Sequence, residues 1–333
     1  MAVRQGLQAP SFDLAAEAYR EAIGGGISGD SVRRLTQGWG QEVDERRGEE
    51  AERANALPQA GEESRERRLE EVAPIEGQGN VSTDGAMILI REEGWKEVKV
   101  TAISEVVVAA GEGVRRRRES RRREGEVWVQ LRCHSYQAGL WDADTMGQHQ
   151  YAEGLRRGLE GCQRLSSVND GAPWIERITL TNFPQAVQIV DWTHASGRLW
   201  QVKEAVFEKG SQEGRRWIEQ QLDWLWEGQV WHVVAALEAL HLEEGGYPPE
   251  VCQAPGYFRT NAKRMQYDRF RKEGYPIGSG TVESAANNVV HHRMRRPGRG
   301  WRREHAQAML AGLSELHSGR FDHTWQATLP SAA

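Results

Sequence analysis

The sequence predicts a mixed α/β fold in which strands come first, a helical block follows, and a helix carrying a lone glutamate comes last. Three observations predict it. Between residues 80 and 137, runs rich in Val, Ile and Thr alternate with polar residues, as half-buried strands do. Between residues 197 and 272, the apolar residues recur at helical spacing and include many tryptophans. Residues 281–317 read as one or two helices separated by "RRPGRGW". A hydrophobic content of 38% against 27% charged suits a chain that buries a core. No run of about 18 apolar residues offers a membrane span.

Each element follows in order. "FDLAAEAYREAI" is amphipathic, and "GGGISGDSVRRLTQGWG" reads as a turn entering a helix that Ser28 or Asp30 caps. The pair has the layout of a helix-turn-helix, weakly signalled. Residues 41–76 are charged and poor in apolar side chains, so they read as a helical or partly disordered linker. "NVSTDGAMILI" and "GWKEVKVTAISEVVVAA" form a hairpin about a glycine. "GEGVRRRRESRRREGE" (111–126) is a basic loop leading to a third strand, "VWVQLRCHSYQ". Residues 142–162 are helical, and "RLSSVND" is a short strand ending at Asp170. "AVQIVDW" is a buried strand, with a helix starting near His194. Trp192, Trp200, Trp217, Trp224, Trp226 and Trp231 are expected mostly in the core of the helical block.

Cys133, Cys162 and Cys252 form no CxxC pair, which argues against a disulfide framework or a zinc ribbon and for a reducing, cytoplasmic setting. The first residues lack the apolar stretch of a signal peptide. The net charge of −5 is unevenly spread. Residues 1–76 carry 10 Lys+Arg and 16 Asp+Glu, whereas residues 257–303 carry 12 Lys+Arg and only Asp268, Glu273 and Glu283. A local excess of that size is what meets phosphates. It speaks against a glycosidase, because a neutral sugar needs no such field.

Three carboxylates stand out by position. Asp84 and Asp170 each precede a glycine in or at the end of a strand, and Glu283 lies in the first turn of a helix. Acidic groups so placed suit a hard divalent cation, which takes oxygen ligands. Asp191 and His194, in "DWTHA", sit where a strand gives way to a helix. There Asp191 caps the helix and orients His194.

The chain resembles the bacterial insertion-sequence DDE transposases of the ISKra type, in the Mutator-like superfamily. "DGAMILIREEGWKEVKV", "NDGAPWI", "IVDWTHA" and "GYPIGSGTVESAANNVVHHRMRRPGRGWRREHAQAMLAGL" carry the resemblance over about residues 80–317. It implies an RNase H-like catalytic core with an all-helical insertion between the second Asp and the Glu, plus a short helical N-terminal region. Residues 1–76 would form that N-terminal region and linker, 77–196 the first part of the core, 197–274 the insertion, and 275–333 the helices completing the core. Asp84, Asp170 and Glu283 would be the catalytic acids, holding two Mg²⁺ or Mn²⁺ ions. Asp191 and His194 would match the superfamily's Asp-x-x-His signature, with Asp191 as the other candidate for second acid. Arg293, Arg295, Arg296, Arg299, Arg302 and Arg303 would grip DNA. The implied partners are double-stranded DNA, at the element's terminal repeats and at the target, and further copies of the chain. The implied location is the bacterial cytoplasm, at the nucleoid. Residues 1–76 lack the cysteine ligands of the family's zinc module. A remnant that binds DNA without cutting it is the second reading.

Overall fold

The computed structural model describes residues 1–56, 73–109, 128–242, 245–278, 280–296 and 298–328. The expected basic loop at 111–126 and most of the charged stretch beyond residue 56 lie outside them. Strands β1 (Gln78–Ile90), β2 (Gly94–Ala109), β3 (Trp128–Gly139), β4 (Arg164–Asn169) and β5 (Val187–Val190) make one sheet in the order β3-β2-β1-β4-β5. The first three pair antiparallel, as the hairpin pattern predicts. β4 runs parallel to β1 over Gln78–Val81 alone, and β5 runs parallel to β4. The rest of β1 therefore has no strand beside it on the β4 side, and Trp301 bridges to that edge at Ile90.

Three helices precede the sheet: α1 (Ala2–Gln8), α2 (Phe12–Ile23) and α3 (Gly29–Asn55). Ser28 caps α3 by accepting from the Ser31 amide at 3.1 Å. Residues 41–55 are helical, one of the two readings of that stretch. They are the second half of α3, and Val43, Arg47, Glu50 and Ala51 recur on its buried side. At Gly40 a Cβ would lie 2.2 Å from the Ala308 carbonyl oxygen, so only glycine lets the two backbones meet there.

Helices α4 (Ala143–Arg156) and α5 (Pro173–Asn182) flank β4 in sequence. After β5 comes a helical block: α6 (Trp192–Val206), α7 (Gln212–Trp226), α8 (Val230–Glu238), α9 (Pro249–Cys252), α10 (Ala254–Asn261) and α11 (Tyr267–Lys272). The chain then returns to the sheet through α12 (Gly280–Ala285), a π-helical turn (Ala286–His291), α13 (His292–Met294) and α14 (Arg303–His317). A last helix, α15 (Phe321–Thr328), was not foreseen. Among the described residues no helix is long and apolar enough to cross a membrane.

The two sheet faces differ in chemistry. On one, Ala86, Ile88, Ile90, Val98 and Val100 pack with Val289, Val290, Met309 and Leu310 from the returning helices. Burying each larger aliphatic side chain there contributes about 1.5–3 kcal/mol. The other face holds buried polar groups. Thr83 and Thr101 share a hydroxyl hydrogen bond of 3.1 Å, and Gln150 of α4 donates to Thr83 Oγ1 at 3.0 Å. Nearby, Arg320 bridges Glu153 (2.8 Å) and Glu315 (2.9 Å), while Arg156 pairs with Glu50. Gln137 of β3 links Arg47 (2.6 Å) to Glu153 (2.7 Å). This network joins α3, α4, β3 and α14.

A separate core fills the helical block, where Trp192 packs edge-on to Trp226 and Tyr267. Trp217 and Trp224 are partly buried against it. Trp200 and Trp231 depart from expectation: they are 44% and 62% exposed.

Candidate functional site

The site lies where β1, β4, β5 and α12 converge. Asn169 sets the first part of it. Its side-chain oxygen accepts the Thr83 amide at 2.7 Å, so β1 is tied to the end of β4 beyond their short pairing. Asp84 and Asp170 are the next residues on the two tied strands. β5 is held beside them, since the Asp191 amide donates to the Asn169 carbonyl at 2.7 Å. The returning segment is pinned in turn: the Trp192 amide donates to the Ile277 carbonyl at 2.8 Å. That bond brings "GYPIGSG" against the start of α6 and delivers Glu283 three residues into α12.

Each acid has a defined local setting. Asp84 Oδ1 accepts the Gly85 amide at 2.7 Å. Asp170 Oδ1 accepts the Ala172 amide at 2.8 Å, and its backbone carbonyl accepts from the Tyr257 hydroxyl at 2.9 Å. Gly171 between them has φ +92°, a conformation natural to glycine, and a Cβ there would stand 3.4 Å from the Tyr257 ring. Asp191 is fully buried and caps α6, accepting the His194 amide at 2.9 Å. Glu283 is exposed.

Asp191, His194 and Glu283 form the tightest group: one potential ligand atom from each lies within 4.8 Å of the others. His194 Nδ1 stands 3.4 Å from Asp191 Oδ1 and is buried with no well-directed hydrogen bond among the described residues. Asp191 raises the His194 pKa by this contact, against the opposing effect of burial, and the charges of Asp191, Asp170 and Asp84 add to the rise. Asp84 is held above the ordinary carboxylate range, first by burial and then by the charges of Asp170 and Glu283, with the Gly85 amide and His194 acting the other way. Asp84 thus feels Asp170, His194 and Glu283, and His194 feels Asp191, Asp170 and Asp84. Asp191 and His194, assigned a supporting place, join Glu283 in the group of possible ligands.

The donor set fits a divalent cation. Asp84 feels the negative charges of Asp170 and Glu283, and Asp191 and His194 lie beside Glu283, so a cation bound there would relieve that repulsion. Mostly oxygen donors suit Mg²⁺ or Mn²⁺.

The arginines divide. From Val282 the buried positions run 285, 286, 289, 290, 293 and 294, a stripe that repeats every four residues through the π-helical turn. Arg293 sits on that stripe and is only 3% exposed. Its guanidinium lies over Phe12 at 4.6 Å and donates to the backbone carbonyls of Gly6 (3.3 Å) and Pro10 (3.4 Å). Its side chain thus braces the N-terminal helices. Arg303 is committed to a two-pronged pair with Glu93, at 2.9 and 2.7 Å. Arg295 stacks over Trp95 at 5.4 Å, while Arg299 and Arg302 are exposed. Arg296 is half-buried and its Nε has no hydrogen-bond partner among the described residues.

Sequence reasoning missed Asn169 and Tyr257. The "ND" at the end of a strand was the available sign for Asn169. Tyr257 had none, because its contact joins residues 87 apart.

No protein-family model matches the chain, and no curated protein matches it in sequence.

Proposed function

We propose that the protein is a DNA transposase of the DDE type, cleaving phosphodiesters and transferring strands at the ends of an insertion sequence. One observation carries this reading. The charges of Asp170 and Glu283 act together on the buried Asp84, and Asp191, His194 and Glu283 each offer a ligand atom within 4.8 Å of the others. The sheet order and the helical block inserted between β5 and α12 support an RNase H-like core with a helical insertion.

In this reading Asp84, Asp170 and Glu283 hold the cations, with Asp191 and His194 on the same cluster. Two divalent cations bound there would activate a water or a DNA 3′-hydroxyl and stabilise the leaving oxygen. The chain's own contribution is to orient and to charge. Asn169 ties β1 to the end of β4 beside Asp84 and Asp170, Tyr257 holds the Asp170 turn, and Asp191 caps the turn of α6 that carries His194. The exposed arginines Arg295, Arg299 and Arg302 attract the phosphate backbone without reading sequence.

The test is cleavage of a labelled duplex bearing the element's terminal repeat, with Mg²⁺ or Mn²⁺, by wild type and Glu283→Gln. The substitution keeps shape and removes one charged ligand. Loss of the metal contribution, worth several kcal/mol, lowers the cleavage rate by at least about 100-fold. Equal cleavage by both proteins would remove Glu283 from the site. Salt-sensitive DNA binding with cleavage by neither would favour the remnant that binds without cutting.

A further inference from the structure

A second basic feature lies apart from the carboxylates. The segment after α13 adds itself to the free edge of β1: the Trp301 amide donates to the Leu89 carbonyl at 2.9 Å, and the Arg91 amide donates to the Trp301 carbonyl at 2.7 Å. Arg91 Nε also donates to the Gly300 carbonyl at 2.8 Å. Between this docked segment and the N-terminal helices is a cavity of about 540 Å³. Five arginines line it: Arg33, Arg91, Arg293, Arg299 and Arg302. Phe12 and Trp301 supply aromatic walls, and no acidic side chain is among the lining residues.

Among the described residues, only Arg33 of the five has a carboxylate partner, Asp30 at 2.5 Å. Arg91, Arg293 and Arg299 donate to neutral backbone carbonyls, which satisfy hydrogen bonds without cancelling charge. Arg293 keeps one terminal nitrogen, Nη2, buried and without a hydrogen-bond partner among the described residues. The crowding is felt locally. Burial and the charges of Arg299 and Arg296 lower the Arg293 pKa to about 10. Burial depresses His305, on the same wall, and the charges of Arg33, Arg302 and Arg91 depress it further, against the pull of Glu304.

Five guanidinium groups around one space cost self-repulsion unless an anion enters, and guanidinium matches phosphate oxygens in planar pairs. From these observations we infer that the cavity is a phosphate-binding site, built jointly by the N-terminal helices and the 299–302 segment. The site is separate from the carboxylate cluster. Asp84 and Arg91 lie seven residues apart on and just beyond β1, or roughly 20 Å at strand rise. One DNA strand carries a phosphate every 3.4 Å or so, so about six phosphates span that distance. The cavity also has room for a free nucleotide, and the phosphate chemistry is common to both sources. The inference does not depend on cleavage by the carboxylates.

The experiment is isothermal titration of the full chain without divalent cations, using pyrophosphate, thymidine monophosphate and a 5′-phosphorylated oligothymidine as separate probes. Arg33→Gln and Arg302→Gln are compared with wild type, and Arg216→Gln, at an exposed arginine of α7 outside the cavity, serves as the control. Circular dichroism melting checks that each variant is folded. Each removed charge-assisted hydrogen bond weakens pyrophosphate binding by about tenfold, whereas Arg216→Gln leaves it within about twofold. Tighter, salt-dependent oligonucleotide binding displaced by pyrophosphate assigns the site to nucleic acid. Monophosphate binding as tight as the oligonucleotide's assigns it to a free nucleotide. No binding of any probe, or binding that Arg33→Gln leaves unchanged, overturns the inference. The titration is run without divalent cations and reads binding alone, so its outcome is independent of the cleavage test.

Discussion

Two acidic clusters in the same molecule are treated in opposite ways. Around Glu153 and Glu315 the chain supplies arginines, and burial that on its own would raise both pKa values is overcome by Arg320, with Arg156 assisting. Around Asp84 burial again raises the pKa, but the next acidic neighbours, Asp170 and Glu283, raise it further. The first cluster is internally neutralised and joins helices to the sheet. The second is left negative, with His194 as its one cationic neighbour in that balance. A buried carboxylate is thus uninformative by itself. Whether the fold supplies its counter-charge separates cement from a site that awaits a ligand.

The largest effect should come from removing the counter-charge in the first cluster. Arg320→Met leaves Glu153 and Glu315 buried without their main cation, which costs about 3–5 kcal/mol of stability by urea denaturation. A loss below about 1 kcal/mol would break the comparison, since the network would then be ornamental. Acid comes next. Glu153 and Glu315 have folded-state pKa values below the ordinary 4.5, so their stabilisation is fully present above that pH. It fades as pH falls below 4.5 toward the depressed folded values, and in Arg320→Met this acid-dependent loss should largely disappear.

The smallest effect has the opposite sign. Asp84 has a folded-state pKa raised above 3.8, so its ionisation opposes folding as pH rises through and beyond that value. Asp84→Asn should therefore raise the Tm at neutral pH in chelator and leave it unchanged at acid pH. Mn²⁺ should raise the Tm of wild type by binding the native state, and raise that of Asp84→Asn much less. An Asn variant that melts below wild type in chelator would contradict the crowded-charge picture.

The fold was legible where periodicity is local. The hairpin of β1 and β2, the strand before Asp170 and the Trp-rich helices all announced themselves by period 2 or 3.6. The joint between β1 and β4 did not, because it rests on the Asn169 side chain reaching Thr83 across 86 residues. Arg293 is instructive for a different reason. Charge grouped it with the other arginines, yet the stripe from Val282 to Met294 runs straight through it, and its side chain is buried. The charged tract at 41–55 is a similar case: Arg47 and Glu50 fall on the buried side of α3, where Gln137 and Arg156 meet them. Composition left the tract a helical or partly disordered linker, and partner groups far off in sequence made its helix part of the core.

The return of α12 and α14 to the sheet also sets a schedule. Ala86, Ile88 and Ile90 find their cover in residues 282–313, nearly two hundred positions later. Until that stretch has been synthesised, the nascent sheet presents one bare apolar face, and the carboxylate cluster lacks its glutamate. Such distant pairing folds slowly and exposes a surface that invites chaperones. It also means that the last segment to arrive is the one that both seals the core and completes the acids. A chain interrupted before residue 283 has neither the cover for β1 nor Glu283.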